Sequence, residues 1–110
     1  MQLKDKGLLW DIKKAGEEIN VFLNDISYNE FVDDKRTRYA VERLLLIIGE
    51  AANHISDDTK NEHPEIQWKR IIGLRNVLAH EYGEILVDRI WNICKSNVPE
   101  LIILITKISI

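Results

Sequence analysis

The run Val41-Glu42-Arg43-Leu44-Leu45-Leu46-Ile47-Ile48-Gly49-Glu50-Ala51-Ala52-Asn53-His54-Ile55 is written with a helical period. Val41, Leu44, Ile48, Ala51 and Ile55 recur at intervals of three and four, which places them on one face of an α-helix. The small residues Gly49, Ala51 and Ala52 let a second helix approach that face closely. Upstream, Leu8, Ile12, Ala15, Ile19, Phe22 and Ile26 repeat the spacing, with Lys13, Lys14, Glu17 and Glu18 on the solvated side. A polar stretch containing Ser27, Asn29, Asp33 and Asp34 separates these two helices. Downstream, Ser56-Asp57-Asp58-Thr59 and Pro64 mark a connection with room for a short helical turn. A third helix is predicted from Ile66 to His80, with Ile71, Leu74 and Leu78 inward and Gly83 as a natural stop. A fourth carries Val87, Ile90, Trp91 and Cys94. Asn97 can cap a fifth, short helix with Pro99 in its first turn, and a kinked continuation of the fourth is the alternative. No period-two strand pattern competes. The expectation is an all-α, up-and-down bundle of four main helices plus short extra helices, one domain spanning residues 1–110.

Composition restricts the function classes. The chain has 110 residues, 45% of them hydrophobic and 30% charged, as in ordinary soluble domains. A net charge of −3 argues against indiscriminate nucleic-acid binding, so any RNA site must be a local basic cleft on an acidic body. Lys35, Arg36 and Arg38 form the one dense basic cluster, as readily a solvated loop as an RNA contact. One cysteine, Cys94, excludes an intrachain disulfide and cannot alone make a zinc site. His54 and His63 do not form a metal pair with each other, and no cofactor motif is visible. Lys4-Asp5-Lys6 interrupts any signal-peptide run, and Leu101–Ile105 is too short to span a bilayer. A reduced thiol and no leader point to the cytoplasm, with no membrane partner. Trp10, Trp68 and Trp91 stand singly and read as core or interface anchors, and the apolar C-terminal end favours a partner chain.

The chemistry concentrates in Arg75-Asn76-Val77-Leu78-Ala79-His80-Glu81-Tyr82. A guanidinium stays cationic and its fork of donors suits phosphate oxygens. An imidazole can take and give a proton near neutrality. Together they are a minimal set for cleaving a phosphodiester without metal. Arg75 and His80 lie about 140° apart around a helix of about 3.6 residues per turn, whereas Asn76 and His80 stack one turn apart. Taken alone, this spacing fits a solvated arginine paired with Glu81 or Glu84, and a histidine at a helix C-terminus, at least as well. Glu50 can pair with Arg75 and aim it, or face water beside Arg43. Tyr82 alone reads as an amphipathic rim residue.

This stretch resembles the Arg-x4-His-x-Tyr motif of the HEPN superfamily, and in particular of HepT-type toxins. Ile47-Ile48-Gly49-Glu50-Ala51-Ala52 resembles the family's "IGEAA" element. His63-Pro64-Glu65-Ile66-Gln67-Trp68 is similar to its "HPEIPW" segment, with Gln67 where proline is usual, and Trp91 and Val98-Pro99-Glu100-Leu101 resemble its last segments. The resemblance implies a metal-independent endoribonuclease acting on tRNA or mRNA, with its cleft at a homodimer interface. Arg75 would stabilise the phosphoryl charge, and His80 would act as general base or acid while the ribose 2′-hydroxyl attacks phosphorus. Asn76 would orient His80 or hold a phosphate oxygen. It further implies a partner, a minimal nucleotidyltransferase antitoxin of the MntA type, which silences the toxin by placing AMP on Tyr82. The competing reading is a non-catalytic helical adaptor, or a nucleotide-binding subunit of a nucleotidyltransferase complex.

Overall fold

A computed structural model of the chain describes residues 1–80 and 83–108, with the backbone alone for residues 83–85. The described residues form helices and connections with no strand, as the periodicity predicts. They are α1 (Leu3–Leu23), α2 (Tyr28–Asp33), α3 (Lys35–His54), α4 (Asp57–Glu62), α5 (Trp68–Ile72), α6 (Leu74–His80), α7 (Gly83–Asn92) and α8 (Val98–Thr106). A π-helical turn, Ile93–Asn97, joins α7 to α8. Four arms result: α1, α3, α5–α6 and α7–α8.

The sequence expectations hold with local shifts. The inner stripe of α3 is buried at all five predicted positions, Ile55 closing it at the C-cap. In α1 the buried face is Leu9, Ile12, Ala15, Gly16, Ile19 and Leu23. Leu8 is half-buried and Phe22 is exposed, so the true stripe sits beside the predicted one. The cause is α8, which lies on the Gly16 side and brings Ile102 to where a Cβ on Gly16 would meet it at 2.9 Å. The polar stretch after α1 holds α2, started by a capping box between Ser27 and Glu30. The third helix breaks at Gly73 into α5 and α6, and Gly83 opens α7 rather than ending α6. Asn97 makes no side-chain cap and keeps right-handed helical angles, so the last arm is the continuous, kinked alternative.

Packing follows a square. α1 lies on α3, α5–α6 on the other flank of α3, and α8 on α1. One cluster of buried side chains fills the centre, including Leu9, Ile19, Leu45, Ile48, Ile90 and Ile105. The C-terminal apolar run is largely absorbed there, since Leu101, Ile105 and Ile108 are buried while Ile103 is exposed. Cys94 is buried as expected, and burial pushes its thiol up to about 12, leaving it inert. Trp68 is a core anchor whose Nε1 donates to the His63 carbonyl at 3.0 Å. Trp91 packs against Phe31 and Tyr28, whereas Trp10 lies 55% exposed on α1. Among the described residues no helix is long and apolar enough to cross a membrane.

One buried charge ties the first arm down. Asp5 is fully buried and accepts from the Ser56 backbone at 3.0 Å, the Ser56 hydroxyl at 2.5 Å and the Thr59 hydroxyl at 2.6 Å. Burial alone would raise its pKa, but the donors from Ser56 and Thr59 outweigh that and hold it below the ordinary 3.8.

Candidate active site

Two features of α3 position the motif helix. Gly49 faces the α5–α6 arm, and a Cβ there would lie 3.1 Å from the Ile71 carbonyl oxygen and 3.7 Å from Leu74. Only a bare α-carbon lets the arms approach that closely. Leu74 then buries itself against the core and fixes the rotation of α6. The next residue, Arg75, projects outward beside Glu50, and Nη1 lies 3.5 Å from Oε1. Of the two roles open to Glu50 in the sequence, the structure selects the pair with Arg75. The side chains are 70% and 42% exposed, so water screens the pair and its effect is to restrict direction more than to add stability.

Arg75, Asn76 and His80 are all exposed on α6, on the side turned from Leu74. Among the described residues no hydrogen bond or ion pair engages the Asn76 amide or the His80 ring. Tyr82 and Glu81 lie outside the described residues, and so does the side chain of Glu84. One chain presents the guanidinium, the amide and the imidazole at exposed positions of α6.

The remaining candidate groups are accounted for by local structure. The Arg38 guanidinium donates to the Val32 carbonyl and so stitches α3 to α2, leaving Lys35 and Arg36 as the exposed part of that cluster. His54 Nδ1 bonds the Glu50 carbonyl at 2.8 Å, and His63 lies 3.4 Å from Glu65. No group of three or more metal-ligating side chains is present among the described residues. Sequence reasoning missed the Asp5 clasp and the α2 capping box. The box was legible as Ser27-x-x-Glu30, whereas nothing local marks Asp5 as buried.

A depression opens on the flank of α6 that carries Leu74 and Val77. Arms α5–α6 and α7–α8 each pack on α3 or α1 but touch each other little, so the fourth edge of the square stays open. The cleft there measures about 580 Å³, with Ile48 of α3 at its floor.

Comparison with known proteins defines the class. Residues 12–108 match the family described as Ribonuclease HepT-like. A putative RNase of Methanocaldococcus jannaschii is 43% identical over 96 residues, covering 87% of this chain and 88% of that protein. A probable ribonuclease HepT of Thermococcus cleftensis is 40% identical over 101 residues, 92% of each chain. A second putative RNase of M. jannaschii is 39% identical over 100 residues, 90% of this chain and 83% of that one. No solved structure matches. The chain belongs to the HepT-like ribonuclease family.

Proposed function

We propose that this protein is a metal-independent endoribonuclease, the toxin of a toxin–antitoxin pair. The observation that carries the reading is the exposed Arg75–Asn76–His80 set on α6, with Arg75 held by Glu50, in a chain of a ribonuclease family. His80 moves the proton of the ribose 2′-hydroxyl or of the leaving oxygen, and Arg75 neutralises charge on the phosphoryl oxygens. Asn76, one turn from His80, orients it or a phosphate oxygen. A single motif guanidinium on a chain of net charge −3 favours a homodimer in which a second copy doubles the positive charge at the site. Tyr82, two residues after His80, is the site where a nucleotidyltransferase of the MntA type adds AMP. A phosphate ester there blocks the cleft and repels the RNA backbone. A cytoplasmic location follows from an RNA substrate in tRNA or mRNA.

The test is cleavage of RNA in EDTA by protein shown by mass to be unmodified. Wild type leaves 2′,3′-cyclic phosphate ends and spares DNA. His80→Ala and Arg75→Ala, folded as judged by circular dichroism, lose activity by about 10²–10⁴-fold. Equal activity in all three would remove the catalytic assignment, and equal inertness would favour an adaptor.

A further inference from the structure

The open edge of the bundle has features a packing defect would lack. Its walls are apolar, with Leu74 and Val77 on the α6 side and Val98 and Leu101 on the α8 side. Three neutral amides, Gln67, Asn92 and Asn97, also line it, and the Gln67 oxygen accepts from the Arg70 guanidinium at 3.0 Å while its NH2 donors remain. Asn92 and Asn97 bracket the π turn, and neither is spent as a helix cap. Such turns recur at functional sites because the extra residue re-aims neighbouring side chains. The charged rim is balanced: Arg70 and Arg89 against Glu65 and Glu100. That balance disfavours a free anion as occupant. It suits an uncharged, planar group with donors and acceptors on its edge. A nucleobase meets that description, and amides pair with base edges in both senses. The volume is within the usual range for small-ligand clefts, roughly 300–1,000 Å³.

Position relates the cleft to the motif. Val77 and His80 are three residues apart on α6 and so are surface neighbours. The cleft therefore lies on the His80 flank, while the Glu50–Arg75 pair lies on the other. We propose that the cleft between α5–α6 and the α7–α8 arm is a nucleobase subsite. It takes one unstacked base of the RNA strand against Leu74, Val77 and Leu101, with Gln67, Asn92 and Asn97 on its edge, next to the phosphate at His80. The proposal rests on the ribonuclease reading and adds the determinant of where the enzyme cuts.

Two variants test it: Asn92→Ala/Asn97→Ala, which removes edge partners, and Leu104→Trp, which fills the mouth. Each is first shown to melt as wild type does. Ends are mapped on a randomised oligoribonucleotide, and binding of the four nucleoside 5′-monophosphates is followed separately by NMR. The expected wild-type result is a preference of about tenfold for one base beside the cut, and selective binding of that monophosphate. Both variants flatten the preference to within about threefold and weaken that binding. Unchanged preference and binding in both variants overturns the subsite and leaves the nuclease standing. Loss of monophosphate binding in the variants, with no cleavage by wild type, sinks the nuclease and keeps the base site. A change of oligomeric state in Leu104→Trp without a change in binding overturns the subsite in favour of a protein occupant, as does a wild type that binds no monophosphate.

Discussion

Arg75 takes its direction from a carboxylate on another helix. Its neighbour Leu74 is locked in the core, and Glu50 reaches the guanidinium from α3. Since the pair is exposed, Glu50→Gln is expected to lower kcat by no more than about fivefold. KM for RNA should stay level and the melting temperature should move by less than about 3 °C. A loss as large as that of Arg75→Ala would instead make Glu50 a participant in the chemistry. Arg75 and His80 stood out in the sequence for their chemistry. Their spacing alone fits a solvated arginine and a helix-end histidine at least as well, and only the family likeness made them candidates. The choice between the two roles of Glu50 was not legible, because it depends on how closely α6 lies to α3. Tyr82 was legible only through family likeness.

Three glycines in α1 and α3 have different surroundings, so their replacement by alanine should have different outcomes. At Gly7 a Cβ meets nothing within 4 Å, so the substitution should stabilise by about 0.5–1 kcal/mol through helix propensity alone. At Gly16 a Cβ would meet Ile102 Cγ1 at 2.9 Å and Val98 Cγ1 at 3.4 Å. Both residues are β-branched and stiff at χ1 in a helix, so the substitution should cost stability despite the propensity gain. At Gly49 the obstacle is backbone, the Ile71 carbonyl, and Gly49→Ala should cost a net 1–2 kcal/mol, roughly, in urea unfolding. It should also weaken cleavage, since it pushes α6 from Glu50; an unaltered rate would show that the spacing of these arms is not critical. Asp5 gives a pH-dependent prediction. Its pKa is depressed by folding, so its contribution is complete above the ordinary value of 3.8 and disappears as pH falls through the lower folded value. Asp5→Asn should therefore be less stable than wild type by about 2 kcal/mol at pH 6, with the gap narrowing below pH 3.8. A gap constant down to pH 2 would place the effect in packing. The α3 stripe was readable because its five positions serve one partner face. That of α1 was displaced because α1 serves two neighbours, α3 and α8, and the second is known only after folding.

At the scale of the whole molecule, the acidic balance limits how RNA is held. A net charge of −3 and a motif with one guanidinium per chain leave few phosphates to neutralise. For an uncleavable 2′-deoxy-substituted strand, the affinity should fall with salt at a logarithmic slope of about −1.5 to −3, that of two to four contacts. Fluorescence anisotropy between low and high salt measures it, and a slope near −7 would reveal a far broader basic surface than Arg75 with Lys35 and Arg36. The number of arms was readable from the chain, but the open edge between two of them was not. Both banks of that cleft are apolar and read as ordinary core; only their failure to meet distinguishes them.

The π turn at Ile93–Asn97 has a consequence for how such chains can change length. It accommodates one residue more than an α-helical path needs, and the buried positions of α8, Val98, Leu101 and Ile105, are set in register after it. Removing one residue from the turn would let it close into a continuous α-helix while Val98, Leu101 and Ile105 keep their facing. The same deletion within α8 would rotate everything beyond it by about 100°. A one-residue change of length is thus absorbed at the turn and not in the regular helix beside it, so descendants of this chain can shorten there without disturbing the core.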